Sequence, residues 1–170
     1  FLPDNPYCTP LSEKKTPMCG FKDRPPLGPH SLIVDTTHAY GVRCNKVVCV
    51  DVDLDKNATD IAEKYRKITY TQKTGGGGKH YIFLRDVRMK EWKSQTKIGD
   101  KELDIKIGEN SYFVGAGSSS YKGKYVASFA VKCAGMPDGL FQEIDALMHP
   151  KKTITKKKSI RKKLIVRNPK

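Results

Sequence analysis

No Cys-x-x-Cys pair, no apolar run of membrane-spanning length and no internal repeat occurs in these 170 residues, and each absence closes off a class. Without paired spacing, Cys8, Cys19, Cys44, Cys49 and Cys133 suggest neither a disulfide framework nor a standard zinc site, and they read as reduced thiols of an intracellular protein. A zinc site from Cys8, Cys19, His30 and His38 would lack a short chelating pair to anchor it, so zinc is not expected. No stretch approaches the roughly 20 apolar residues of a spanning helix, and none resembles a signal peptide, so no membrane partner is expected. Acid is missing from one region in particular. The last twenty residues hold eight Lys and two Arg with no Asp or Glu, whereas the rest of the chain sets 22 basic groups against 18 acidic ones. Within that tail Lys156, Lys157, Lys158, Arg161, Lys162 and Lys163 suit a phosphate backbone, although a solubility, targeting or linker segment has the same composition.

What is present divides into three parts. Residues 1–30 carry seven of the ten prolines and read as an extended arm, residues 31–150 as one folded domain, and residues 151–170 as a basic tail or linker. A chain running from Phe1 to "RNPK" reads as a piece of something longer. Regular structure is expected to start after the arm. In "KVVCVDVDL" (46–54), Val48, Val50, Val52 and Leu54 alternate with Val47, Cys49, Asp51 and Asp53, which predicts a strand with both aspartates on one face. "NATDIAEKYRKI" then predicts a helix, capped by Asn57 and burying Ile61, Tyr65 and Ile68. Further strands are predicted at "HYIFL" (80–84), at "ELDIKI" (102–107), from which "GEN" (108–110) forms a hairpin loop into "SYFVGAG", and near "YVASFAV" (125–131). The last element is a helix in "DGLFQEIDALMH", with Asp138 as its cap and Leu140, Ile144, Leu147 and Met148 as its buried stripe. The order describes an α+β domain with a mainly antiparallel sheet.

Asp51 and Asp53 begin an Asp-x-Asp-x-Asp run, but a calcium loop would need Gly at position 56 and Glu at position 62, where Lys56 and Ala62 stand. The plain alternative is the polar face of an edge strand. Two strand rises would hold their Cβ atoms about 6.6 Å apart, close enough for one or two divalent cations. "TGGGGKHYIF" is not a phosphate-binding P-loop, since Lys73 falls where its first Gly belongs and His80 where its hydroxyl belongs. Either the glycines are a linker or, lying between core elements, they let backbone approach a ligand's phosphates with Lys79 and His80 as donors beside it. Asp104, two residues before Lys106, supplies a third carboxylate, or else an ordinary surface pair.

Taken in order, "VVCVDVD", "TGGGGKHYIF" and "LDIKIGENSYFVGAGSSSYKGKY" resemble the three motifs of the primase-polymerase domains of the archaeo-eukaryotic primase superfamily. The pattern is an apolar strand ending in Asp-x-Asp, a Gly-rich turn ending in His and a strand, then a flanked Asp, a Gly-bearing hairpin, a small-residue turn with Ser and Gly-x-Tyr. The resemblance spans Gly41 to Tyr125, and such domains occur in plasmids, bacteriophages and large DNA viruses. It implies an RRM-like antiparallel catalytic sheet with flanking helices and a smaller N-terminal α/β lobe. It implies DNA primase/polymerase activity by two-metal catalysis, with Asp51, Asp53 and Asp104 holding two Mg²⁺ or Mn²⁺ ions. His80 would bind the triphosphate, helped by Lys79, Gly77, Gly78, Lys106 and Ser118. The implied partners are single-stranded DNA, nucleoside triphosphates and a fused or separate replicative helicase, at the site of DNA replication: host cytoplasm, or nucleus if viral. Lys106 stands where the family commonly has arginine, and "GAGS" replaces a proline-containing turn. Two other readings share features: an RRM-like binding module stacking bases on Tyr112, Phe113 and Tyr125, and a metal-dependent nuclease using the same carboxylates.

Overall fold

The valine-rich stretch forms the longest strand of the sheet, as expected for β-branched side chains that pack on a pleated surface. In the computed structural model, which describes residues 8–12, 14–17, 39–53 and 59–150, this strand is β2 (Ala39–Val52). With it stand β1 (Cys8–Leu11), β3 (Tyr70–Lys73), β4 (Lys79–Leu84), β5 (Gln95–Ile98), β6 (Leu103–Val114), β7 (Ser119–Ser120), β8 (Gly123–Lys124) and β9 (Val126–Phe129). One α-helix is found among the described residues, α1 (Asp138–Met148). The main sheet runs β5-β6-β2-β4-β3-β9, with β1 beside the first half of β2, and every pairing between these strands is antiparallel. The α+β class and the mainly antiparallel sheet are therefore what the chain adopts.

Both faces of β2 are covered. Val48, Val50 and Val52 join Tyr81, Phe83, Leu103, Ile105 and Ile107 in one buried cluster, onto which α1 lays Leu140, Ile144 and Met148. Burying each such side chain contributes about 1.5–3 kcal/mol. Val47 and Cys49 face the other way, with Val42, Cys44, Ile82 and Phe113. Burial pushes the Cys44 thiol up to about 12 and the Cys133 thiol up to about 11, so both stay as inert thiols.

Several local expectations are overturned. "GEN" is no hairpin loop: β6 runs unbroken through it, and the pairing with β2 slips on either side of Cys44, which stands opposite Gly108. Gly108 has φ +97°, so a bulge uses the same residue a turn would. The predicted helix after β2 is represented among the described residues by a single 3-10 turn, Glu63–Tyr65, with Ile68 half exposed. Asn57 and Leu54 lie outside the described residues. Asp138 is the first residue of α1 rather than its cap, and its carboxylate meets Arg88. The N-terminal arm contributes a strand, β1, whose partner is the main sheet. A second, two-stranded sheet pairs β7 with β8. The cysteine and histidine set Cys19, His30 and His38 and the tail 151–170 lie outside the described residues.

Candidate active site

Strand alternation sends Asp51 to the face of the sheet that α1 does not cover, and antiparallel register then sets its neighbours. Asp51 stands opposite Asp104 of β6 on one side and His80 of β4 on the other, and His80 stands opposite Gln72 of β3. Asp104, Asp51, His80 and Gln72 thus form one row across four adjacent strands. Carboxylates directly opposite one another repel. Lys106, diagonal to Asp51 on β6, supplies the compensating charge by ion-pairing with Asp51 Oδ2. Asp51 is buried, which alone would raise its pKa, yet the His80 ring and the Lys106 ammonium beside it hold it well below the usual carboxylate range. Burial would likewise lower the Lys106 ammonium, but Asp51 outweighs it and raises it.

His80 is 3% exposed, between the rings of Phe113 and Tyr125. Gln72 Nε2 donates to the Val114 carbonyl at 2.6 Å and lies 3.0 Å from His80 Nδ1. An amide nitrogen only donates, so Nδ1 is the acceptor and the ring proton sits on Nε2. Nε2 is 3.3 Å from Asp51 Oδ1, an oxygen that is buried and makes no well-aligned hydrogen bond. On the far edge the backbone N–H of Lys97 donates to Asp104 Oδ1 at 2.9 Å, from a residue held at φ +53°. That left-handed residue interrupts the β5–β6 register between Gln95 and Ile98 and turns its N–H onto the carboxylate.

The glycines work by close approach, though to protein backbone. A Cβ on Gly78 would lie 2.4 Å from the Val52 carbonyl oxygen and 3.2 Å from Asp53 Cα, so its absence lets the β3–β4 turn lie against the end of β2, where Asp51 and, one residue past the strand, Asp53 stand. A Cβ on Gly75 would meet the Gly123 carbonyl oxygen at 2.6 Å, so the same turn packs on the β7–β8 hairpin. Together these elements enclose a cavity of about 510 Å³, lined by Asp51, Asp53, Asp104, His80 and Lys106, with Gly76, Thr74 and Lys122 from the turn and hairpin.

A family profile described as "Bifunctional DNA primase/polymerase, N-terminal" matches residues 11–139 of the 170, well over half of the chain. The chain belongs to this prim-pol family. A search of curated proteins found no significant match.

Within the prim-pol domain, the structure gathers Asp51, Asp53, Asp104, His80 and Lys106 around one cavity and leaves other expected residues outside it. Lys79 follows strand alternation to the opposite face, where it ion-pairs with Asp60 at 3.1 Å and Glu63 at 2.6 Å. Ser118 is buried with its hydroxyl accepting from the Tyr40 backbone N–H, so it braces the start of β2. Gly77 sits at φ +86° in the turn, with its N–H on the Thr74 carbonyl. Phe113 and Tyr125 do line the cavity, as buried walls beside His80 rather than as rings displayed on an open sheet face. Gln72, Lys97, Lys15 and Lys122 were not predicted; only Gln72, a polar residue where a strand alternates, leaves a sequence signal. Among the described residues no group of three or more His, Cys, Asp or Glu side chains is arranged to hold a metal ion as it stands, and no helix is long and apolar enough to cross a membrane.

Proposed function

We propose that this cavity carries out template-directed nucleotidyl transfer, making and extending primers on single-stranded DNA. The observation that carries the reading is the Asp104–Asp51–His80 row, in which Asp51 keeps one buried carboxylate oxygen without a well-aligned hydrogen bond beside a third carboxylate, Asp53. A buried acceptor left unmet inside a cavity is where an ion or ligand completes the site.

The donor set is all hard oxygen, which suits Mg²⁺ or Mn²⁺ and not zinc. Asp51, Asp53 and Asp104 would hold the ions, with Lys106 giving up Asp51 Oδ2 to them. Two such ions supply a lowered pKa at the primer 3′-hydroxyl and charge neutralisation at the leaving pyrophosphate. His80 orients Asp51 through Nε2–H, and Gln72 fixes that tautomer; a contact from Nε2–H to a triphosphate oxygen requires it to leave Asp51. Lys97 N–H aims Asp104. Lys106 carries positive charge at the same wall, suited to the phosphates. The basic tail extends the contact along the DNA backbone, and deleting residues 151–170 is expected to weaken binding and flatten its salt dependence. A replicative helicase, fused or separate, is the expected partner.

The test is incorporation of labelled nucleotide on an oligonucleotide template with Mg²⁺ and with Mn²⁺. Wild type is expected to incorporate, and the Asp51→Ala, Asp53→Ala double variant to lose on the order of a thousandfold in rate. Equal inertness of the two proteins with both metals would remove the reading. Cleavage of the oligonucleotide without incorporation would replace it with a nuclease.

A further inference from the structure

The carboxylates share their cavity with four ammonium groups, those of Lys14, Lys15, Lys106 and Lys122. Lys106 ion-pairs with Asp51 and already belongs to the Asp/His row. Lys14 and Lys15 come from the loop that follows β1, well before the Asp-x-Asp strand. That loop is closed tightly: Leu11 and Pro17 bridge, Ser12 N–H donates to the Thr16 carbonyl at 2.9 Å, and Lys15 N–H donates to the Ser12 carbonyl at 2.8 Å. Lys15 is held at φ +64°, a conformation that L residues rarely adopt. Strain of this kind persists only where the surroundings over-determine it, and it gathers at functional sites. Here the determinant is visible. The Tyr112 hydroxyl, reaching from β6, donates to the Lys15 carbonyl at 2.8 Å and ties the loop over the sheet.

The side chain so placed lies with its Nζ 5.5 Å from the centre of the Tyr121 ring at the tip of the β7–β8 hairpin. Its neighbour at that tip, Lys122, lays its stem beside the glycine turn, where a Cβ on Gly76 would be 3.6 Å from Lys122 Cδ. Burial lowers the Lys15 pKa, and Lys122 and Lys106 lower it further, which marks a crowd of like charges on one wall. A compact polyanion relieves such crowding, and the cavity has the size of a small-molecule site.

We propose that Lys15 and Lys122 form a phosphate grip that selects a triphosphate over shorter phosphate chains, with Tyr112 as the positioning residue that holds Lys15 in it. The proposal rests on reading the cavity as a nucleotidyl-transfer site. Two segments distant in sequence, a strained loop and a hairpin tip, converge on the substrate's phosphates from outside the Asp/His row. DNA backbone phosphate presents similar oxygens, but its charges are spread along a strand rather than concentrated in one cavity.

The experiment measures binding of inorganic tripolyphosphate, of orthophosphate and of a single-stranded oligonucleotide to the whole chain, together with KM and kcat for nucleotide incorporation. Lys15→Gln and Lys122→Gln are each expected to lose about tenfold in tripolyphosphate affinity, the worth of one charge-assisted contact, with orthophosphate and oligonucleotide binding little changed. KM for nucleotide should rise by the same factor while kcat holds. Lys15→Arg should retain the affinity, and Tyr112→Phe should lose it severalfold although no charge is removed. Unchanged tripolyphosphate affinity and KM in both glutamine variants, with wild type incorporating nucleotide, overturns the grip alone. A loss that falls on the oligonucleotide instead also overturns it, by assigning the lysines to the DNA. A wild type that binds tripolyphosphate through these lysines yet never incorporates nucleotide supports the grip and overturns the transferase reading.

Discussion

Two clusters of charged side chains occupy opposite faces of the same sheet, built from adjacent residues of one strand. On one face His80 stands with Asp51, Lys106 and Gln72; on the other Lys79 stands with Asp60, Glu63 and the Tyr81 hydroxyl, which lies 2.7 Å from both carboxylates. The Lys79 cluster nearly satisfies itself, with Asp60 Oδ1 its one buried oxygen lacking a partner. The His80 side leaves Gln72 Oε1 and Thr74 Oγ1 buried without a hydrogen bond and Asp51 Oδ1 with only the poorly aligned 3.3 Å approach of His80 Nε2, and Asp51 and Thr74 border the cavity. Charge that is met locally holds a structure together. Charge that is left short marks where a ligand finishes the arrangement.

The sharpest way to break this contrast is His80→Ala. It removes the group that orients Asp51 and leaves Gln72 Nε2 and Asp51 Oδ1 facing a void. Loss of such a supporting contact typically costs 10–100-fold, and a fall toward about a hundredfold in kcat/KM is expected, with weaker nucleotide binding and near-normal DNA binding. Unchanged nucleotide affinity would take His80 out of the site. Next in size is Gly78→Ala, which acts where the two faces meet. A Cβ at 2.4 Å from the Val52 carbonyl oxygen must push the turn away from the strand end, at a cost of about 1–3 kcal/mol in denaturant unfolding. Because Asp53 Cα is the next atom met, incorporation should fall by more than the stability loss explains. Activity that stays at the wild-type level would mean that the turn does not position Asp53.

How far the site could be read from the chain follows from these same residues. Asp51 and Asp104 were legible because period-two alternation in "VCVDV" and "LDIKI" sorts side chains by face, and the β2 core positions emerged for the same reason; His80 was legible from the glycine run it closes and from the family motif. Applied one residue further, that rule also separates Lys79 from His80, and adjacency alone had joined them. β3 was missed because "YTQK" is short and polar, and its buried Gln72 earns its place through a partner on another strand. "GEN" misled because a glycine bulge and a glycine turn have one composition and differ only in register. Lys97 acts through its backbone N–H, which no side-chain pattern reports. Lys15 depends on a loop closed by Tyr112, 97 residues away.

Lys79→Met tests the other half of the contrast. The ion pairs it breaks are partly solvated, so a loss of about 1 kcal/mol or less is expected in denaturant unfolding, with incorporation within about twofold of wild type. A loss of activity comparable to that of His80→Ala would return Lys79 to the phosphates and erase the distinction between the faces.

The smallest effect comes with a pH signature that identifies its origin. Hydrogen bonds from Lys79 and then Tyr81 bring the Glu63 carboxyl down to about 2. Its unfolded value is about 4.3, so the ionised form favours the folded state at any pH above that, and the advantage is lost as pH falls through about 2. Glu63→Gln should therefore be less stable than wild type at neutral pH, by a margin that salt screening and an exposed side chain keep under about 1 kcal/mol. The two unfolding curves should draw together between about pH 4 and pH 2, and 1 M salt should narrow the gap at pH 7. A gap that persists undiminished at pH 2 would mean that packing, not charge, holds the Lys79 cluster, and the two faces would then differ in kind rather than in how completely their charges are met.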